Sequence, residues 1–369
     1  MQHLKKLLGA VLVMGLAYLL LWPVPINPVA ITLTPAPGYA GAHATNNRLA
    51  QLQSIDLQGE VGPEHIAIGP DGKLYTGVAS GNILRLNADG SGLEVFVNTG
   101  GRPLGLDFDA RGNLIAADAS KGLLSISPDK TIAVLADKVD GLAILFADAV
   151  SVAKDGKIYF SDASTRFAPG TWGGVYMASV MDMLEGAATG RILVYNPADL
   201  STQILASGLN FSNGVALTAD QQHILVNETG RFRVWKIAVA ARKLDLSQSP
   251  PAAQARVLLD NLPGYPDNLM RGHDGRIWLG LAAPRSADAD QLADKPFIRK
   301  IVMRLPHALW PIPRPYGHVI AFNEEGKIVM DLQDPQGAYP ETTGVTETAD
   351  RRYLQSLNAR TLGWMPQSR

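Results

Sequence analysis

Apolar and polar residues alternate along most of the chain, and the alternation comes back in phrases of one kind. In GPEHIAIGPDGKLY an apolar run enters an Asp-Gly turn and leaves as a second apolar run, with Glu64 eight residues ahead of Gly72. FADAVSVAKDGKIYF repeats the phrase with Asp148 ahead of Gly156, and PDNLMRGHDGRIWLG repeats it with Asp267 ahead of Gly275. Looser copies put Leu104 before Gly112, Asn213 before Gln221 and Thr343 before Arg351 at the same offset. Each phrase reads as strand, tight turn, strand. A third strand follows, such as NILRL (82–86) or RILVY (191–195), and then a fourth, such as TIAVL (131–135) or ARVLL (255–259).

Four antiparallel strands recurring about every forty residues, six times over, predict an all-β fold, a six-bladed β-propeller. The sixth unit runs out of chain after TLGWM (361–365). The lone alternating stretch at 48–59 supplies its missing outer strand, so the ring closes without an exposed sheet edge. A β-sandwich has no such fixed internal phrase. Two insertions break the period. Residues 164–190 show a helical pattern around Met177, Met181 and Leu184. Residues 284–315 carry Phe297, Ile301, Leu305 and Leu309 at helical spacing, flanked by Arg299, Lys300 and Arg304. As lids they cover one mouth of the central channel; packing on the rim, or lying on a bilayer, are the alternatives.

The N-terminus is patterned differently. Lys5 and Lys6 precede an apolar run from Leu7 to Trp22, closed by Pro23 and Pro25. The run is short for a spanning helix of ~20 residues and long for a signal h-region of ~7–15. Residues 1–22 are expected to be an uncleaved signal anchor, a membrane partner for the chain, with the rest on the periplasmic or extracellular side. Secretion after cleavage near Ala40-Gly41-Ala42 is the alternative. Residues 23–47, with five prolines, read as a linker, and 48–369 as the propeller.

Composition removes several function classes. Formal net charge is -1, so there is no electrostatic footprint for nucleic acid. The absence of Cys excludes disulfides, thiolate metal sites and a cysteine nucleophile. No Gly-x-Ser-x-Gly elbow and no Gly-rich phosphate loop occur.

In a propeller the innermost strands run side by side about the axis, so equivalent positions form a ring. Glu64, Leu104, Asp148, Asn213, Asp267 and Thr343 are those positions. Three carboxylates cannot stay ionised together in a partly dry channel without a counter-charge. An all-oxygen set, Glu64, Asp148, Asn213 and Asp267, suits Ca²⁺ with its 6–8 oxygen ligands in loose geometry. Mg²⁺ prefers few protein ligands, and zinc lacks its usual His or Cys there. Side chains that merely cap strand ends are the plain alternative.

GPEHIAI, FADAVSV, GLNFSNGVALT, VNETGRFRVWKI, NLPGYPDNL and LQDPQG resemble the strictosidine synthase-like branch of the senescence-marker/gluconolactonase superfamily, over about residues 60–365. Membrane-anchored adipocyte plasma membrane-associated proteins belong to the same branch. The resemblance implies a propeller with Ca²⁺ in its channel, and the family's metal residues fall on Glu64, Asn213 and Asp267. The family phrase FxND reads FADA here. Asp148 takes the Asn place and Ala149 the Asp place, which keeps an oxygen ligand and adds charge.

The resemblance implies a Ca²⁺-dependent hydrolase of a small lactone, ester or phosphotriester, with Asp267 as general base or nucleophile. His65 is a second candidate base, although strand alternation turns it away from its neighbour Glu64. His223 and His273 are expected at solvent-facing turns, and His318 as a structural residue within a strand. A membrane-tethered binding propeller with structural calcium is the rival reading. Amine–aldehyde condensation is a third, with Glu347 its loose candidate acid.

Overall fold

The structure, a computed structural model, describes residues 2–248 and 253–367. Six antiparallel sheets stand around one axis, built from residues 66–98, 103–136, 147–209, 212–259, 264–334 and 342–366; these are blades 1 to 6. The expected six-bladed propeller is what the chain forms. Blade 6 takes its outer strand from the front of the chain: Gln53–Asp56 pairs antiparallel with Thr361–Trp364. Closure thus joins the two ends of the propeller by backbone hydrogen bonds. Two additions fall outside the four-strand plan, a hairpin at 138–143 and a parallel fifth strand, Leu244–Asp245, on blade 3.

The core is divided rather than single. Six apolar clusters each fill one blade–blade interface. Ile115, Leu123, Phe160 and Leu193 join blades 2 and 3, for example, while Leu57, Ile66, Tyr353 and Leu362 join blades 6 and 1. Strand alternation dictates this, because both faces of a twisted blade meet a neighbour and both must be apolar. Each fully buried Leu or Ile contributes about 1.5–3 kcal/mol relative to exposure.

A seventh cluster lies over one mouth. There α2 (Val175–Glu185), from the first insertion, meets α4 (Pro296–Arg304), from the second, after the short α3 (Ala287–Leu292). Ala178 and Met181 of α2, Met303 of α4 and Ile26 pack on Leu104, Phe146 and Phe211 of the blades. The α4 stripe departs from its apolar spacing. The helix stops at Arg304, ahead of Pro306, and Phe297 is left 55 % exposed. The buried face is Arg299, Val302 and Arg304. Their guanidinium groups explain why: Arg299 donates to the carbonyls of Leu184 and Ala293, at helix C-termini that need donors, and to that of Val29.

Arg304 donates to the carbonyls of Leu19 (2.9 Å) and Trp22 (2.7 Å), at the end of α1 (Gln2–Leu21). That helix is apolar, with a mean hydropathy of 1.9 over an 18-residue window, and none of its residues is buried. Residues 23–47 are laid along the insertions and blade 5. Ile26 and Ile31 are buried, and the backbone N–H of Val29 donates to the carbonyl of Glu185.

Candidate functional site

The inner strands begin beneath the lid, and their first residues gather around the axis. In five blades the inner strand loses register with its neighbour at the ring position. The breaks fall between Pro103 and Leu106, Ala147 and Val150, Ser212 and Val215, Pro266 and Leu269, and Thr342 and Gly344. A bulge bends the strand and re-aims a side chain. Leu104, Asp148, Asn213, Asp267 and Thr343 each sit inside one. Glycines then let the strands crowd. A methyl group on Gly105 would stand 2.7 Å from the Asp148 carbonyl oxygen, and one on Gly214 would stand 2.4 Å from that of Asp267.

Glu64, Asp148 and Asn213 are buried, whereas Asp267 keeps part of its surface exposed. Burial pushes the Glu64 carboxyl up to about 7, against the opposing pull of Arg102 and of a hydrogen bond from Asn268. Burial and then the charge of Glu64 hold Asp148 well above the usual carboxylate range. Asp267 is raised the same way, by burial and then by Glu64 and Asp148, with the Asn213 amide opposing. These mutual effects mark the four predicted residues as one electrostatic unit.

The counter-charge inside the protein is too small. Arg102 is buried nearby, but its guanidinium donates to the Gly62 carbonyl oxygen at 3.0 Å, and its charge is shared among Glu64, Asp118 and Asp148. One cation shared among several carboxylates leaves the ring short of positive charge, a deficit that a divalent ion would offset. The hydrogen-bond inventory agrees. Glu64 Oε2, Asn213 Oδ1 and Asn268 Oδ1 are buried acceptors without a donor, and buried acceptors are rarely left so. A hard cation supplies what they lack.

The ring residues therefore fit Ca²⁺. Glu64, Asp148, Asn213 and Asp267 would hold it. As a set, the oxygens of the three carboxylates spread beyond 4.8 Å. Opposite ligands on one Ca²⁺ stand ~5 Å apart, with water in the remaining positions. Thr343 Oγ1 is committed to the Glu64 carbonyl oxygen at 2.6 Å, and Leu104 packs into the lid cluster.

The remaining sequence candidates lie elsewhere. His65 Nδ1 accepts from the Leu106 N–H at 3.1 Å, and burial lowers the imidazole to about 4. It lines a cavity of about 560 Å³ at the opposite mouth, away from the ring. Glu347 belongs to that mouth too, at the far end of its strand. Arg352 (3.2 Å) and the His273 N–H (2.7 Å) bind its carboxylate, so it is no acid beside the ring. His273 is exposed, His223 is half-buried and His318 is buried.

Three residues at the site were not anticipated. Asn268 donates from Nδ2 to Glu64 Oε1 at 2.6 Å and so orients that carboxylate. Arg102 precedes the apolar ring position of blade 2. Glu341 adds a negative charge that Asp267 feels. The phrase NLPGYPDNL contains Asn268 directly after Asp267, and that adjacency is the signal that could have found it.

Two family profiles match the chain: "Strictosidine synthase-like, N-terminal" over residues 41–86 and "Strictosidine synthase" over residues 148–241. The strictosidine synthase-like 13 protein of Arabidopsis thaliana is 32% identical over 84% of this chain and 82% of its own length. An adipocyte plasma membrane-associated protein of Salmo salar is 30% identical over 85% of this chain and 77% of its own. Among solved structures, a gluconolactonase from Xanthomonas campestris superposes with a TM-score of 0.59 at 17% identity, covering 92% of this chain and 98% of that one. A calcium-binding protein, regucalcin, from Agrobacterium tumefaciens superposes with a TM-score of 0.55 at 13% identity, covering 85% and 93%. These structural likenesses speak for the fold. With relatives of that identity over most of its length, and with the propeller and its ring in place, the chain belongs to the strictosidine synthase-like family.

Proposed function

We propose that the chain is a calcium-dependent hydrolase of a lactone, ester or phosphotriester that enters the lidded mouth of the propeller. In this reading α1 holds it to a membrane, with the propeller on the periplasmic or extracellular side. The observation that carries the reading is the ring itself, with three buried acceptor oxygens lacking donors and carboxylates short of positive charge. The gluconolactonase and the calcium-binding regucalcin with the same fold support it.

Bound at the ring, Ca²⁺ would supply a Lewis acid for the carbonyl or phosphoryl oxygen of the substrate. The chain's own residues divide the other tasks. Glu64, oriented by Asn268, and buried Asp148 hold the cation site. Asp267, the least buried of the four as a residue, is the one assigned to both site and substrate. It takes the proton from the water that attacks the carbonyl carbon or phosphorus and displaces the leaving oxygen. In the other route it displaces that oxygen itself, and the resulting covalent intermediate is then cleaved by water. The lid cluster over Leu104 excludes bulk water from this face.

The lid also favours a second reading, a membrane-tethered binding propeller whose calcium is structural, because apolar side chains pack directly on a ring position. Amine–aldehyde condensation has no such support, since Glu347 stands at the wrong mouth. The test is hydrolysis of lactone, aryl-ester and phosphotriester panels by the full chain in detergent, with and without chelator. Activity that needs Ca²⁺ and is lost in Asp267→Ala supports the hydrolase. Calcium binding without turnover of any panel supports the binding protein, and activity that persists in chelator overturns the calcium reading.

A further inference from the structure

Far from the axis, three side chains meet that the repeats do not predict. His43 lies in the segment after α1, on a short helical turn, Gly41–His43. His318 and Asp331 lie on the third and fourth strands of blade 5, paired antiparallel. Among the described residues they form the one set of three His, Asp or Glu side chains whose ligand atoms all lie within 4.8 Å of one another.

The approach is specific. His43 Nδ1 stands 2.8 Å and His318 Nε2 3.0 Å from the same oxygen, Asp331 Oδ2. The other carboxylate oxygen is held in place: Asn46 Nδ2 (3.1 Å) and Gln333 Nε2 (2.5 Å) both donate to Oδ1. One oxygen is thus oriented by two amides, while the other faces two imidazole nitrogens. Such outer hydrogen bonds are how proteins fix the carboxylate of a metal site. Two borderline nitrogens and one oxygen are the donor set of a divalent transition metal, and adjacent ligand atoms on Zn²⁺ stand ~3.3 Å apart.

Burial is graded in the sense such a site requires. His318 is 1 % exposed and Asp331 7 %, while His43 retains an edge to solvent by which an ion and a water ligand can enter. Tyr39, stacked on Tyr316 at 4.9 Å, has a buried hydroxyl without a partner beside the cluster. The His318 Nδ1 is also buried without a partner.

We propose that His43, His318 and Asp331 bind one divalent first-row transition metal ion, Zn²⁺ in the first instance, which clips the segment following α1 to blade 5. The same segment continues through Leu49, whose N–H donates to the Gln333 carbonyl at 2.9 Å, into the strand that closes blade 6. The ion therefore fastens the chain just before the closure of the ring. It has no role in the chemistry proposed at the axis, and it stands or falls independently of that reading.

The test uses the full chain in detergent, stripped of metal and titrated with Zn²⁺ and with Co²⁺. Expected results are one equivalent of Zn²⁺ bound in the presence of a hundredfold excess of Ca²⁺ and a visible Co²⁺ absorption band of low-symmetry N/O ligation. Thermal unfolding should rise by about 5 °C at saturating Zn²⁺. His43→Ala, which removes a half-buried side chain from a surface turn, should lose the band and the shift. It should unfold at the temperature of the metal-free wild type, which shows that it has folded. Asp267→Asn should keep both signals. Zn²⁺ bound equally by wild type and His43→Ala, or no binding by the wild type, would overturn the proposal.

Discussion

The ring at the axis and the cluster on the rim are both sets of ligand-type side chains brought together by folding, and they differ in almost every physical respect. The ring ligands are all oxygen, mostly buried and short of positive charge, and they are delivered by four of the six copies of one strand. The cluster has two nitrogens to one oxygen and hydrogen bonds internally. It is assembled from a segment outside the repeats and the outer half of one blade. Symmetry makes the first and a single tertiary contact makes the second. The difference teaches that donor type, and not acidity alone, would sort two cations onto one chain: a hard ion at the axis and a borderline one at the edge.

The strongest way to break this comparison is at Asp267. Asp267→Ala is expected to lower hydrolysis on the order of 10²–10⁴-fold, measured on whichever panel substrate turns over, while zinc uptake at the rim stays at one equivalent. A chain in which both functions fail together would merge the two sites into one. Next in size is Asn268→Ala, which leaves every proposed ligand in place but frees the Glu64 carboxylate. Calcium affinity by calorimetry should fall ~10–100-fold, as for other residues that orient a metal ligand.

Asp148→Asn sharpens the comparison by restoring the family's phrase at one ring position. With one charge fewer among the ligands, calcium affinity should drop about tenfold, with zinc affinity unchanged. An increase would mean that charge does not govern the ring.

The smallest effect belongs to the lid. Asp182 in α2 is buried, takes a hydrogen bond from Asn210 Nδ2 at 3.2 Å, and is raised by burial to about 7. Its folded pKa lies above the unfolded value of ~3.9. Its contribution is therefore full below pH ~4 and is lost as pH rises through about 7. Asp182→Asn should thus gain stability over wild type between pH 4 and 7, reaching ~1–3 kcal/mol in chemical denaturation and then levelling off. A difference that shrinks as pH rises would contradict the sign.

Much of the axis was legible in the sequence because a repeat converts linear spacing into a place in space. The eight-residue offset from Glu64 to Gly72 and its five echoes located the ring and the blades together. The closing strand, Gln53–Asp56, was legible from the missing strand of the last unit. What escaped was whatever alternation misdescribes. Asn268 follows Asp267 and should face the other way along a regular strand. The register break between Pro266 and Leu269 brings it to Glu64 as well. In α4 the spacing pointed to Phe297 and Leu309 as the packed stripe, whereas the buried positions went to Arg299 and Arg304, which satisfy carbonyls of other segments. The rim cluster left no local trace. His43 stands in a proline-rich segment, 275 residues from His318 and 288 from Asp331 in the chain, and nothing periodic links them.

The claim on which the rest depends is that the repeats build one calcium site at the axis. Calorimetric titration of Ca²⁺ into the metal-free full chain, beside the Glu64→Gln/Asp267→Asn double variant, tests it most directly. The account predicts one bound ion in the wild type and none in the variant, with both proteins still taking up zinc. No binding by the wild type, or equal binding by both, would contradict it.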